Sequence, residues 1–114
     1  MDGPRLLGVF AHPDDEVFCA GGTLAKYVSL GSEAMVVSAT RGQAGQIRDA
    51  GAATRRTLGQ VRERELQQAC AILGVQHALC LDYSDGGLAG VDRRALSEDI
   101  SRIARDFRPD VVIT

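Results

Sequence analysis

The sequence predicts an α/β protein: a Rossmann-like three-layer sandwich on a mainly parallel sheet. Two observations carry that prediction. Short apolar runs alternate along the chain with segments whose apolar residues repeat at helical spacing. The runs are also continuously apolar, as strands covered by helices on both faces are. Parallel neighbours joined through helices imply right-handed crossovers.

The first strand is expected from Arg5 to Ala11, around Leu6-Leu7-Gly8-Val9-Phe10. A helix follows, with Val17, Ala20, Gly21, Leu24 and Val28 on one face and a stop at Gly31. Ala34 to Thr40 is the second strand, its Met35-Val36-Val37 too apolar for a surface edge. Leu66, Ala69, Cys70 and Leu73 mark the next helix, closed by Gly74. Ala78 to Leu81 is a short third strand. Leu96, Ile100, Ile103, Ala104 and Phe107 form another helical stripe, halted before Pro109, and Asp110 to Thr114 begins a fourth strand.

At 114 residues the chain holds material for one domain, residues 1–114, with one modest core. Its 45% hydrophobic and 25% charged content is ordinary for a globular protein. A net charge of −2 argues against nucleic-acid binding, which favours a basic excess. No apolar stretch approaches the roughly 20 residues that span a bilayer, and Met1-Asp2-Gly3-Pro4 lacks a signal-like start. A cytoplasmic protein without nucleic-acid or membrane partners is expected. Cys19, Cys70 and Cys80 include no Cys-x-x-Cys pair and read as buried reduced thiols.

The residues Ala11-His12-Pro13-Asp14-Asp15-Glu16 fall where the first strand becomes a helix. His12 and Asp15 are three apart and can converge on one metal ion from a first helical turn. Asp14 between them could then face a metal-bound water, which suggests metal-assisted hydrolysis with Asp14 as base. Proline followed by acids is equally an ordinary helix start, since carboxylates favour the positive end of the helix dipole. That bland reading leaves only His12 unexplained.

Ala11-His12-Pro13-Asp14-Asp15-Glu16, followed by Gly21-Gly22-Thr23-Leu24, resembles the signature of the LmbE-like, or PIG-L, deacetylases. The likeness extends through Thr40-Arg41-Gly42, Arg62-Glu63-Arg64-Glu65 and Asp82-Tyr83-Ser84-Asp85-Gly86-Gly87. The resemblance implies a zinc-dependent hydrolase that removes an N-acetyl, or related N-acyl, group from a glucosamine-containing small molecule. It implies zinc at His12 and Asp15, Asp14 as catalytic base, and substrate contacts from Arg62 and Asp85. From sequence alone Arg62 is equally a surface charge paired with Glu63 or Glu65, and the segment around Asp85 a plain turn. The family's third zinc ligand comes from a loop after the fourth strand, where this sequence ends. The chain therefore reads as an amino-terminal portion, truncated after that strand, that binds zinc weakly and turns over poorly alone. An exposed last strand favours self-association into a homo-oligomer.

Three polar loops follow the first three strands, and ligands of open parallel sheets bind beyond the strands' carboxyl ends. The stretch from Arg41 to Gln60 holds Gly42, Gly45, Gly51 and Gly59 with Arg48, Arg55 and Arg56. It reads either as a flap closing on substrate or as a solvated loop, partly helical around Ala50 to Arg56. Gly21-Gly22 is no dinucleotide fingerprint, and close helix–sheet packing is the expected use of the two glycines. His77 precedes the third strand and so belongs at the edge opposite His12. Two other classes stay open: a metal-free nucleotide-binding module, and a noncatalytic or complementing fragment.

Overall fold

A computed structural model describes residues 3–45, 47, 51, 53–84 and 86–114. Four strands form one sheet: β1 (Leu6–Phe10), β2 (Ala34–Ser38), β3 (His77–Cys80) and β4 (Val111–Ile113). Three helices connect them: α1 (Asp15–Ser29), α2 (Leu58–Leu73) and α3 (Arg93–Phe107). The strand order is β3-β2-β1-β4, and every pairing is parallel. β1 sits in register with β2 from Leu6 opposite Ala34 to Phe10 opposite Ser38.

Alternation along the strands sorts the core into two layers. Leu6, Phe10, Ala34, Val36 and Cys80 pack with Ala20 and Leu24 of α1 and Leu66 and Cys70 of α2. Leu7 and Val37 face the other way, against Phe107 of α3. Helices thus cover both faces, the three-layer arrangement the sequence predicts. Among the described residues no helix is long and apolar enough to cross a membrane.

The turns follow from local chemistry. Gly74 adopts the left-handed conformation (φ 83°) that ends α2, and Val75 donates back to the Cys70 carbonyl at 2.8 Å. A Cβ on Gly74 would also press within 2.9 Å of Val28, so the glycine lets α2 approach α1. Asp92 caps α3 by accepting from the Arg94 amide at 2.9 Å. At its other end the Arg5 guanidinium donates to the Phe107 carbonyl at 2.6 and 2.9 Å and lies 4.4 Å over the Phe107 ring.

Several expectations need correction. Val17, expected on the buried face of α1, is 42% exposed, whereas Glu16 is fully buried. The buried stripe runs Glu16, Ala20, Leu24, which is equally helical in spacing but begins with an acid. Cys19 is exposed, and only Cys70 and Cys80 are buried thiols. Among the described residues the glycine pair shows no packing role: a Cβ on Gly21 would meet only Val17 and Glu16 of its own helix, at 3.7 Å or more, and one on Gly22 would meet none of them within 4 Å. The long loop ends at Thr57, because α2 begins two residues before Gln60. His77 opens β3, one residue earlier than expected. It lies 3.8 Å from Glu33 at the amino edge of the sheet, away from His12 as expected.

Candidate active site

The site is built where β1 hands over to α1. Asp14 caps the helix with φ 91° and ψ −27°, a left-handed conformation uncommon outside glycine and least unusual for Asn and Asp. Its side chain makes no capping bond. The next two carboxylates fold back onto the loop instead. Asp15 Oδ2 accepts from the His12 amide at 3.2 Å, and Glu16 Oε2 accepts from the Asp14 amide at 2.9 Å. The His12 Nδ1 and Asp15 Oδ2 atoms lie 3.6 Å apart, both side chains half-buried.

Neighbouring loops are tied to this turn. The buried Thr40 hydroxyl donates to the Ala11 carbonyl at 2.9 Å and accepts from the Gly42 amide at 3.1 Å. Arg62 then reaches over from the first turns of α2. Its NH1 donates to the Gly42 carbonyl at 2.9 Å, and its NH2 to the Pro13 carbonyl at 2.8 Å. The same NH2 stands 3.5 Å from Asp14 Oδ2. Gly42 (φ 66°) and Gly45 make room for it, since a Cβ on either would overlap the guanidinium. Arg62 is thus paired with the His12–Asp15 loop rather than with Glu63 or Glu65.

Glu63 serves a second arginine. Arg41 Nε donates to Glu63 Oε1 at 3.0 Å and its NH1 to Asp82 Oδ1 at 2.6 Å. Bonds to Asp82 and then Glu63 push the Arg41 pKa up and keep it charged. Arg41 therefore ties the loop after β2 to α2 and to the loop after β3. Arg55 donates to the carbonyls of Gln43 and Gly45, both at 2.9 Å, folding the expected flap onto itself. Thr54 to Thr57 form a turn rather than the helix considered there, while Arg48 and Ala50 lie outside the described residues.

His12, Asp14, Asp15, Gly45, Arg62 and Gly86 line one cleft of about 490 Å³ at the carboxyl edge of the sheet. Asp85 lies outside the described residues; its neighbour Gly86 is on the cleft wall. A hollow of similar size, about 500 Å³, lies between β3 and α3. There Asp99 accepts from both Tyr83 and Arg102. The first cleft gathers His12, Asp14, Asp15 and Arg62 of the site residues expected from the sequence; the second has its polar groups spent on internal bonds.

Sequence reasoning placed His12 to Glu16 and Thr40 to Gln43 at the ligand edge but gave Glu16, Thr40 and Arg41 no role of their own. Burial pushes the Glu16 carboxyl up from its usual range, while its own amide and that of Asp14 pull it back. Its Oε1 is buried with no hydrogen-bond partner among the described residues. The one available signal was an acid in phase with Ala20 and Leu24. Among the described residues no three His, Cys, Asp or Glu side chains gather as a metal cluster.

Known proteins share this architecture. The 1D-myo-inositol 2-acetamido-2-deoxy-alpha-D-glucopyranoside deacetylase of Thermobifida fusca is 34% identical over 141 aligned positions. That alignment covers 100% of this chain and 47% of the relative, so the chain spans about half the length of the curated relatives it matches. The N,N'-diacetylchitobiose deacetylase of Pyrococcus horikoshii superposes with a TM-score of 0.83 at 30% identity, over 97% of this chain and 40% of that one. The 4-carboxy-2-hydroxymuconate hydratase of Pseudomonas putida superposes at 0.77 with 27% identity, over 95% and 45% of the two chains. The scaffold is therefore shared by different reactions. A profile of the PIG-L family, described as GlcNAc-PI de-N-acetylase, matches residues 7–114, and the chain belongs to that family.

Proposed function

We propose that this chain carries the water-activating residues of a zinc-dependent N-deacetylase that acts on a glucosamine-containing small molecule in the cytoplasm. The observation that supports it is the opening of His12, Asp14 and Asp15 onto one cleft, with Asp14 braced by Arg62. His12 and Asp15 would hold the zinc: they are donor types that zinc takes, and their nearest donor atoms are 3.6 Å apart. The remaining protein ligand would come from outside the described residues. Zinc, when bound, supplies Lewis acidity toward water and the amide carbonyl.

The chain's own groups do the rest. Asp14 takes a proton from the attacking water as the amide carbon is attacked, then returns a proton to the departing amine. Acetate and a free amino sugar result. Arg62 fixes the Asp14 carboxylate beside the cleft, and in this reading offers its remaining donors to sugar hydroxyls. Asp85 would accept hydrogen bonds from those hydroxyls, next to Gly86 on the cleft wall.

The test combines zinc stoichiometry with acetate release from an N-acetylglucosaminyl conjugate. Where that remaining ligand is supplied, about one zinc per chain, lost on His12→Ala, is expected. Asp14→Asn should keep the zinc and lose turnover by about 100-fold or more. Full turnover in Asp14→Asn would overturn the role of base, and absence of zinc from both proteins the metal assignment. Water addition to an alkene is the competing reading, given the hydratase of the same fold. Acetate appearing in step with free amine separates the two.

A further inference from the structure

Glu16 is the one acid among the fully buried polar residues described, and the mechanism above does not use it. It lies beneath the site, close enough to Cys70 and Cys80 for its charge to help push both thiols up. A carboxylate in apolar surroundings is retained at a cost, and here one oxygen has no partner among the described residues. The other oxygen accepts from the Asp14 amide at 2.9 Å. Asp14 is the residue held left-handed, a conformation that needs support from its surroundings.

The two facts explain each other. A side chain leaving a left-handed residue points differently from one leaving an ordinary helical N-cap. With φ at 91° the Asp14 carboxylate comes to the cleft wall, within 3.5 Å of Arg62, instead of closing on the amides of α1. We infer that Glu16 is a positioning residue that holds the Asp14 backbone left-handed through the Asp14 amide and so aims the catalytic carboxylate into the cleft. Arg62 holds the same turn through the Pro13 carbonyl and the Asp14 carboxylate. The effect on turnover rests on the proposed hydrolase reading; the effect on backbone geometry does not.

Two substitutions separate hydrogen-bond reach from charge. Glu16→Gln keeps an acceptor at the same length and removes the charge. Glu16→Asp keeps the charge and withdraws it from the Asp14 amide by one methylene. Folded protein of each would be compared by NMR-detected hydrogen exchange at the Asp14 amide, zinc affinity, and separate kcat and KM for acetate release. Glu16→Asp should lose protection of the Asp14 amide and about 100-fold in kcat, with KM and zinc affinity changed by less than about threefold. Glu16→Gln should recover the protection and most of the lost kcat. An Asp variant with a protected Asp14 amide, or a Gln variant as impaired as Asp, would overturn the inference. Lack of hydrolysis by the unsubstituted protein would count against the proposed reaction alone, because the amide pattern is read without substrate.

Discussion

The guanidinium of Arg62 lies 3.5 Å from the carboxylate of Asp14, 48 positions away in sequence, and donates at 2.8 Å to the carbonyl of Pro13 just before it. One side chain from α2 therefore closes the turn that carries the candidate catalytic base. Arg62→Lys should not substitute, because an ammonium lacks the planar fork that serves Gly42, Pro13 and Asp14 together. A loss of about 10- to 100-fold in kcat is expected, with destabilisation of about 1–3 kcal/mol in chemical denaturation. Gly42→Ala should reproduce part of that loss, since its Cβ would displace the same guanidinium. Unchanged kcat and stability in Arg62→Lys would show that the bracing is dispensable.

The glycine pair of α1 gives a prediction of opposite sign. Among the described residues nothing lies within 4 Å of a Cβ on Gly22, and one on Gly21 meets only ordinary contacts. Gly22→Ala should therefore stabilise the chain by about 1 kcal/mol through helix propensity and a less flexible unfolded state. Gly21→Ala should do the same to a smaller extent, because its site is buried. Thermal unfolding is the measurement, and a lower midpoint for Gly22→Ala would reveal a use for that glycine.

Tyr83 donates to Asp99 Oδ2 at 2.6 Å, and Arg102 donates to Oδ1 of the same carboxylate at 2.8 Å. The Asp99 bond pushes the Tyr83 phenol from 10 up to about 12. Bonds from Tyr83 and then Arg102 hold the Asp99 carboxyl below its ordinary 3.8. The raised phenol contributes stability below pH 10 that is lost as pH climbs toward 12. The lowered carboxyl contributes stability above pH 3.8 that is lost as pH falls further. Phenolate absorbance should accordingly show a late-titrating tyrosine that Tyr83→Phe removes; absence of any late-titrating phenol would contradict the bond.

Thiol chemistry separates the cysteines. Cys19 is exposed, while burial, the larger cause, pushes Cys70 and Cys80 up to about 11. An aromatic disulfide reagent at neutral pH should modify one thiol per chain quickly and the other two only on unfolding. Protection of all three would place Cys19 under cover in solution.

The pattern of apolar runs and helical stripes determined most of the fold. Four short strands and three helices were legible because burial on both faces demands continuous apolar strands, and a helix facing a sheet demands a stripe. The first loop was legible as a candidate site because a histidine beside paired acids has little purpose at an ordinary helix start. The rest needed the third dimension. A periodicity argument discounts an acid on a buried face, so it placed Val17 where Glu16 belongs. Arg62 could not be paired from sequence, since its neighbours Glu63 and Glu65 are as near along the chain as Pro13 and Asp14 are across it. Gly42 and Gly45 became meaningful only when the Arg62 guanidinium was found lying against them. Sequence periodicity reports which side of an element faces the core. Tertiary structure alone decides which polar group, once there, finds its partner across the sheet's edge.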